Sequence, residues 1–135
     1  MTIHAGDLPA EILLNADVSP NGEVAWTRSE LPRVFQGLLR LDLAVTSAEL
    51  WFIAPNGLHP DVPTVRTPSW AHDAAFYYWY MRRRNPDEPW RDFVKASIDY
   101  AEQKVKELAA DENAPADLEG SIYYNLQIYD EAGYK

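Results

Sequence analysis

Cysteine is absent from the 135 residues, which excludes disulfides, thiolate metal sites and cysteine nucleophiles and suits a reducing compartment. Histidine is scarce and scattered, at His4, His59 and His72. Only His72-Asp73 sets an imidazole beside a carboxylate able to orient it, and a surface or loop histidine accounts for that pair without a metal or general-base role. Basic residues number 12 against 21 acidic, for a net charge of -9, so a phosphate backbone is repelled and nucleic acid is not the expected partner. No apolar run approaches the roughly 18 residues of a membrane span, and the amino terminus lacks a basic stretch followed by an apolar signal core. A soluble, unprocessed, cytoplasmic protein is expected. Also missing are a Gly-x-Ser-x-Gly elbow, His-Glu-x-x-His, a phosphate-binding Gly-rich loop and an EF-hand pattern. The chain is therefore read as non-catalytic, with no cofactor and no metal.

What is present is an ordinary globular composition, 47% hydrophobic and 24% charged, of a length that suits one domain with a sizeable core. No repeat of 20 to 50 residues and no low-complexity tract divides it. The charge is unevenly placed. Residues 1 to 27 carry Asp7, Glu11, Asp17 and Glu23 and no Lys or Arg. Residues 107 to 131 carry seven more carboxylates, again with no basic residue. Between them lies the one basic cluster, Arg82-Arg83-Arg84, directly after the aromatic run Phe76 to Met81.

The patterning predicts an α+β fold: one domain, residues 1 to 135, with a mostly antiparallel sheet packed by two main helices, about 28–41 and 89–109. Thr27 and Glu30 have capping-box spacing at the first helix, and Leu31, Val34, Phe35 and Leu38 follow at helical intervals. Residues 45 to 53 are strand formers ending at the turn signal Pro55-Asn56-Gly57. Pro60, Pro63 and Pro68 make the next segment a loop or short edge strands. Residues 76 to 81 suit a strand, although the aromatic run is too uniform for periodicity to separate strand from helix. Trp90, Phe93, Val94, Ile98, Ala101, Val105 and Leu108 form the apolar face of the second helix, opposite Arg91, Lys95, Glu102 and Lys106. It must stop before Pro115. Finally, Ile122, Tyr124, Leu126 and Ile128 alternate with Tyr123, Asn125, Gln127 and Tyr129, the signature of a strand with one face on the core.

Glu30 and Glu49 form an imaginable acid-base pair of the glycosidase kind. Glu30 already has a capping role, however, and Glu49 suits the solvent face of a strand. The aromatic-arginine run carries more information. It reads either as a central strand buried on both faces and followed by a solvated basic turn, or as a protein-binding surface of Tyr and Arg hot spots. Trp70, Tyr78 and Tyr80 are the aromatic anchors on the second reading. The segment containing Asp111, Glu112, Asp117 and Glu119 follows the long helix. It is either a solvated loop or a carboxylate cluster that steers encounter with a basic partner.

Gly22-Glu23-Val24-Ala25-Trp26-Thr27, a helix, and then Ala48-Glu49-Leu50-Trp51-Phe52-Ile53 resemble the opening of the immunity protein 40 family of bacterial polymorphic toxin systems. Pro89-Trp90-Arg91-Asp92-Phe93-Val94-Lys95-Ala96-Ser97 is similar to that family's Trp-x-x-Phe-Val helix opening, and Ser121-Ile122-Tyr123-Tyr124-Asn125-Leu126 to its closing strand. The resemblance spans about residues 20 to 130. It implies an α+β protein without catalysis that binds a cognate toxin domain inside the producing cell and neutralises it by stoichiometric occlusion. The acidic charge suits a nuclease target. The competing expectation is a small-ligand or sensor module with an aromatic pocket between sheet and long helix.

Overall fold

The computed structural model describes residues 7–18, 22–52, 78–109 and 122–134. Along the chain come α1 (Ala10–Leu13), β1 (Asp17–Val18), β2 (Val24–Thr27), α2 (Leu31–Arg40), β3 (Ala44–Phe52), β4 (Tyr78–Tyr80), α3 (Trp90–Ala109) and β5 (Ile122–Tyr129). The strands form one sheet in the order β1-β2-β5-β3-β4, every pair antiparallel. The α+β architecture and both main helices are as the patterning predicts. The last strand, β5, lies at the centre of the sheet, where it pairs with β2 and β3 over eight residues of β3 register.

One face of the sheet makes the core. Val24 and Trp26 of β2, Tyr124, Leu126 and Ile128 of β5, Val45 and Ala48 of β3 and Trp79 of β4 are all buried. Helix α3 supplies Trp90, Phe93, Val94, Ile98, Ala101 and Val105 to the same cluster, and α2 supplies Leu31, Val34, Phe35 and Leu38. Each fully buried aliphatic or aromatic side chain stabilises by roughly 1.5–3 kcal/mol, so the period of 3.6 in α3 and the period of 2 in β5 are the main determinants of the layering. Arg91, Lys95, Glu102 and Lys106 are exposed on the opposite side of α3, as its amphipathic pattern requires.

The start of α2 differs from the capping-box expectation. Residues Arg28–Glu30 make a single 3-10 turn, and the Thr27 side chain makes no cap hydrogen bond. Glu30 is drawn away instead, accepting from Arg33 at 2.9 Å and from the Asn15 amide at 3.2 Å. Pro32 lies in the first turn of the helix, where it lacks only a donor that would have had no helical partner.

At the other end, α2 stops in a Schellman arrangement. The Leu43 N–H donates to the Leu38 carbonyl at 2.9 Å and the Asp42 N–H to Leu39 at 3.2 Å, with Asp42 left-handed at φ 58°. That conformation favours glycine. Asp42 holds it because α3 docks there: Trp90 Nε1 donates to the Asp42 carbonyl at 2.8 Å, and Arg91 pairs with the Asp42 carboxylate and donates to the Leu39 carbonyl at 2.7 Å.

The amino-terminal elements, which the patterning does not anticipate, are held by polar ties to short unpaired carbonyls. Trp26 Nε1 donates to the Ile12 carbonyl at 2.9 Å, while the Arg33 guanidinium donates to the carbonyls of Glu11 and Leu14. A four-residue helix such as α1 leaves most of its carbonyls without intrahelical donors, and Arg33 and Trp26 satisfy them.

A β-bulge interrupts β3. Val45 pairs with Ile128 and Ser47 with Gln127, so Thr46 is an extra residue. The Val45 N–H is turned toward α3, where it donates to Ser97 Oγ at 3.1 Å, and the Ser97 hydroxyl donates to the Val94 carbonyl at 2.8 Å. Ser97 is fully buried. Ser97→Ala would strand a buried amide donor, and is expected to lower unfolding free energy by about 1–3 kcal/mol in a urea titration.

Candidate functional site

The bulge has a second consequence at the end of the sheet. By inserting Thr46 it places Ala44 and Ser47, three residues apart, on the same side of the sheet opposite Tyr129 and Gln127. Bulges re-aim side chains in this way beside functional sites. Here Thr46 and Ser47 line an open cleft of about 400 Å3 with Tyr80, Met81, Arg83, Tyr129, Gly133 and Tyr134. Tyr80 stands 70% exposed at its lip. The Met81 N–H donates to the Thr46 carbonyl at 2.8 Å, which ties the chain leaving β4 to the bulge.

The arginines on either side of Arg83 are tied to neighbouring elements of the fold. Arg82 makes a two-pronged pair with Glu88, at 2.9 and 2.8 Å, and its guanidinium lies 5.8 Å from the centre of the Phe93 ring. Arg84 pairs with Glu131 at 3.0 Å, donates from Nε to the Glu88 carbonyl at 2.8 Å and lies 5.3 Å over Trp90. The Arg84 N–H donates to the Tyr134 hydroxyl at 2.9 Å, and the Tyr134 ring packs 5.1 Å from Phe93 and 5.6 Å from Trp90. The basic run is thus two structural clamps around one residue, Arg83, that reaches the cleft.

The partner-binding residues read from the sequence separate as follows. Tyr80 is at the cleft and exposed. Tyr78 sits in β4, paired in register with Glu49. Trp70, Asp111, Glu112, Asp117 and Glu119 lie outside the described residues, as do Phe76, Tyr77, the Pro55-Asn56-Gly57 turn, the segment of Pro60, Pro63 and Pro68, and all three histidines. The expectation of a central strand buried on both faces is corrected at β4: among the described residues it is an edge strand, with Trp79 buried 5% exposed and Tyr80 outward. The aromatic run was ambiguous in sequence because strand alternation within it changes burial without changing residue type.

Nothing in the sequence marks Tyr129, Tyr134, Thr46 and Ser47 as site residues. Tyr129 was visible on the outer face of the last strand, but the bulge that recruits Thr46 and Ser47 has no sequence signature, since it depends on where β5 pairs. Nor is the cleft between sheet and long helix. Among the described residues that interval is filled by core side chains, and this cleft lies at the sheet end, against the carboxy-terminal turn.

Glu30 and Glu49 do not act on one another. Glu30 is held below the usual carboxylate range by its hydrogen bond from Arg33, then by that from Asn15. Glu49 is pushed up, first by partial burial and then by the neighbouring Glu23 carboxylate. Among the described residues no group of three or more His, Asp or Glu side chains could hold a metal ion, and no helix is long and apolar enough to cross a membrane. The chain matches no protein-family model, no curated protein and no solved structure.

Among the described residues Glu88 is strongly shifted. Its carboxyl is held down to about 2 by the hydrogen bond from Arg82, then by the backbone N–H of Asn85, against a smaller opposing effect of burial. A lowered folded-state value stabilises the fold above the unfolded value of 4.5, and that contribution is withdrawn as pH falls from there through about 2. The stability advantage of the natural chain over Glu88→Gln should therefore shrink across that interval in acid-dependent urea titrations. Glu49 has the opposite sign. Its ionisation costs stability once pH rises through 4.5 and beyond its raised value, so Glu49→Gln should raise the melting temperature at pH 7 and lose that advantage in acid.

Proposed function

We propose that this protein is a non-catalytic, cytoplasmic immunity protein that binds a cognate bacterial toxin domain and neutralises it by stoichiometric occlusion. The observation that carries the reading is Tyr80, 70% exposed on an edge strand beside a cleft walled by Tyr129, Tyr134 and Arg83. Tyr and Arg dominate interface hot spots because they offer large rigid area with a polar end. The segmental resemblance to the immunity protein 40 family supports the same reading.

The net charge of -9 suits a basic partner, and a nuclease domain has such a surface because it must hold a phosphate backbone. In this proposal Asp111, Glu112, Asp117 and Glu119 steer the encounter, and Tyr80, with Trp70 and Tyr78, anchors the complex. Steering acts on the association rate and is screened by salt, whereas the anchor acts on dissociation.

The test begins with the gene immediately upstream, read for a secreted protein with a carboxy-terminal toxin domain. Co-expression of that domain with this chain should restore growth, and the purified pair should form a one-to-one complex. Tyr80→Ala should weaken it by about 2 kcal/mol or more. Reversing the four carboxylates to Lys should slow association and flatten its salt dependence. Absence of both protection and complex overturns the proposal. An unaltered complex with Tyr80→Ala overturns the placement of its surface.

A further inference from the structure

We propose that the cleft at the end of the sheet is a binding site for a small anionic ring compound, a planar ring bearing a phosphate or carboxylate. The inference goes beyond toxin binding and needs no protein partner. Its volume, about 400 Å3, falls within the range of small-molecule sites.

Charge selects the ligand's sign. In a chain with 21 acidic residues, no described residue lining this cleft is a carboxylate, and the one charged side chain there is Arg83. A guanidinium offers a planar fork of donors matched to carboxylate or phosphate oxygens. Thr46, Ser47, Tyr80, Tyr129 and Tyr134, all hydroxyl-bearing, line the same cleft. Tyr134 accepts from the Arg84 N–H, which leaves its own hydroxyl proton for an acceptor.

Shape selects the ring. Tyr80 presents its side chain at the lip, and Tyr129 and Tyr134 meet at 6.3 Å with planes nearly perpendicular, so a planar ligand is offered both a stacking and an edge contact. Preorganisation favours the site as well. The Arg82–Glu88 and Arg84–Glu131 pairs hold the backbone on both sides of Arg83, so less freedom is lost when its side chain engages an anion.

The test is calorimetric titration of the full chain with phenyl phosphate and phenylacetate, against inorganic phosphate, benzyl alcohol and benzylammonium. At least one of the two ring anions should bind saturably, about tenfold or more tighter than inorganic phosphate, benzyl alcohol or benzylammonium. Arg83→Gln should weaken that binding about tenfold, Arg83→Lys less, and Tyr80→Ala should reduce the preference for the ring anion over inorganic phosphate. Both positions are exposed, and unchanged melting temperatures of the variants would show intact folding. Failure of both ring anions to saturate by about 10 mM, equal binding of benzylammonium, or indifference to Arg83→Gln overturns the proposal. Any of these results leaves the toxin reading standing, because that reading is tested with a protein partner.

Discussion

The hydrogen bond from the Val45 N–H to the buried Ser97 hydroxyl is the constraint on which the rest of the arrangement depends. A bulge leaves an amide out of the sheet ladder, and a buried amide without an acceptor is costly. Ser97 meets that need from the helix, and in doing so fixes where α3 crosses the central strands. The same bulge turns Thr46 and Ser47 into the cleft, so helix placement and site geometry have one origin.

A second set of contacts holds the amino-terminal end of α3 against the rest of the fold. Trp90 and Arg91 meet the carbonyls at the end of α2, and the carbonyl groups there are short of donors by the nature of a helix terminus. Phe93, Trp90 and Tyr134 then form an aromatic group against which Arg82 and Arg84 lie. The Arg82–Glu88 pair is partly exposed, at 46% and 13% for the two side chains. Its value therefore rests on its two-pronged geometry and shared backbone donors more than on charge attraction alone, which water and salt screen.

These contacts give the arginine run two functions at once. Arg82 and Arg84 brace the fold and Arg83 lines the cleft, in a protein whose net charge is -9. A surface that combines an exposed tyrosine, a cation held on a rigid segment and hydroxyl donors is equipped for recognition, and that is the common ground between partner capture and small-ligand binding.

Much of the fold was legible in the sequence. The faces of α3 and β5 follow from apolar periods that burial rewards residue by residue, and the class α+β follows from having both. The site was legible only in its aromatic and arginine types, which left open whether the run was core or interface until the structure placed Tyr80 at the surface. The capping box failed because Arg33 and Asn15, distant or competing donors, took Glu30. The sequence by itself determined which faces are apolar, where the long helix runs and how the charge is distributed. Only the tertiary structure decided that β5 is central, that Thr46 is a bulge and that one arginine of three is presented to the cleft, because strand register and the partners of each buried polar group are set by contacts between residues far apart in the chain.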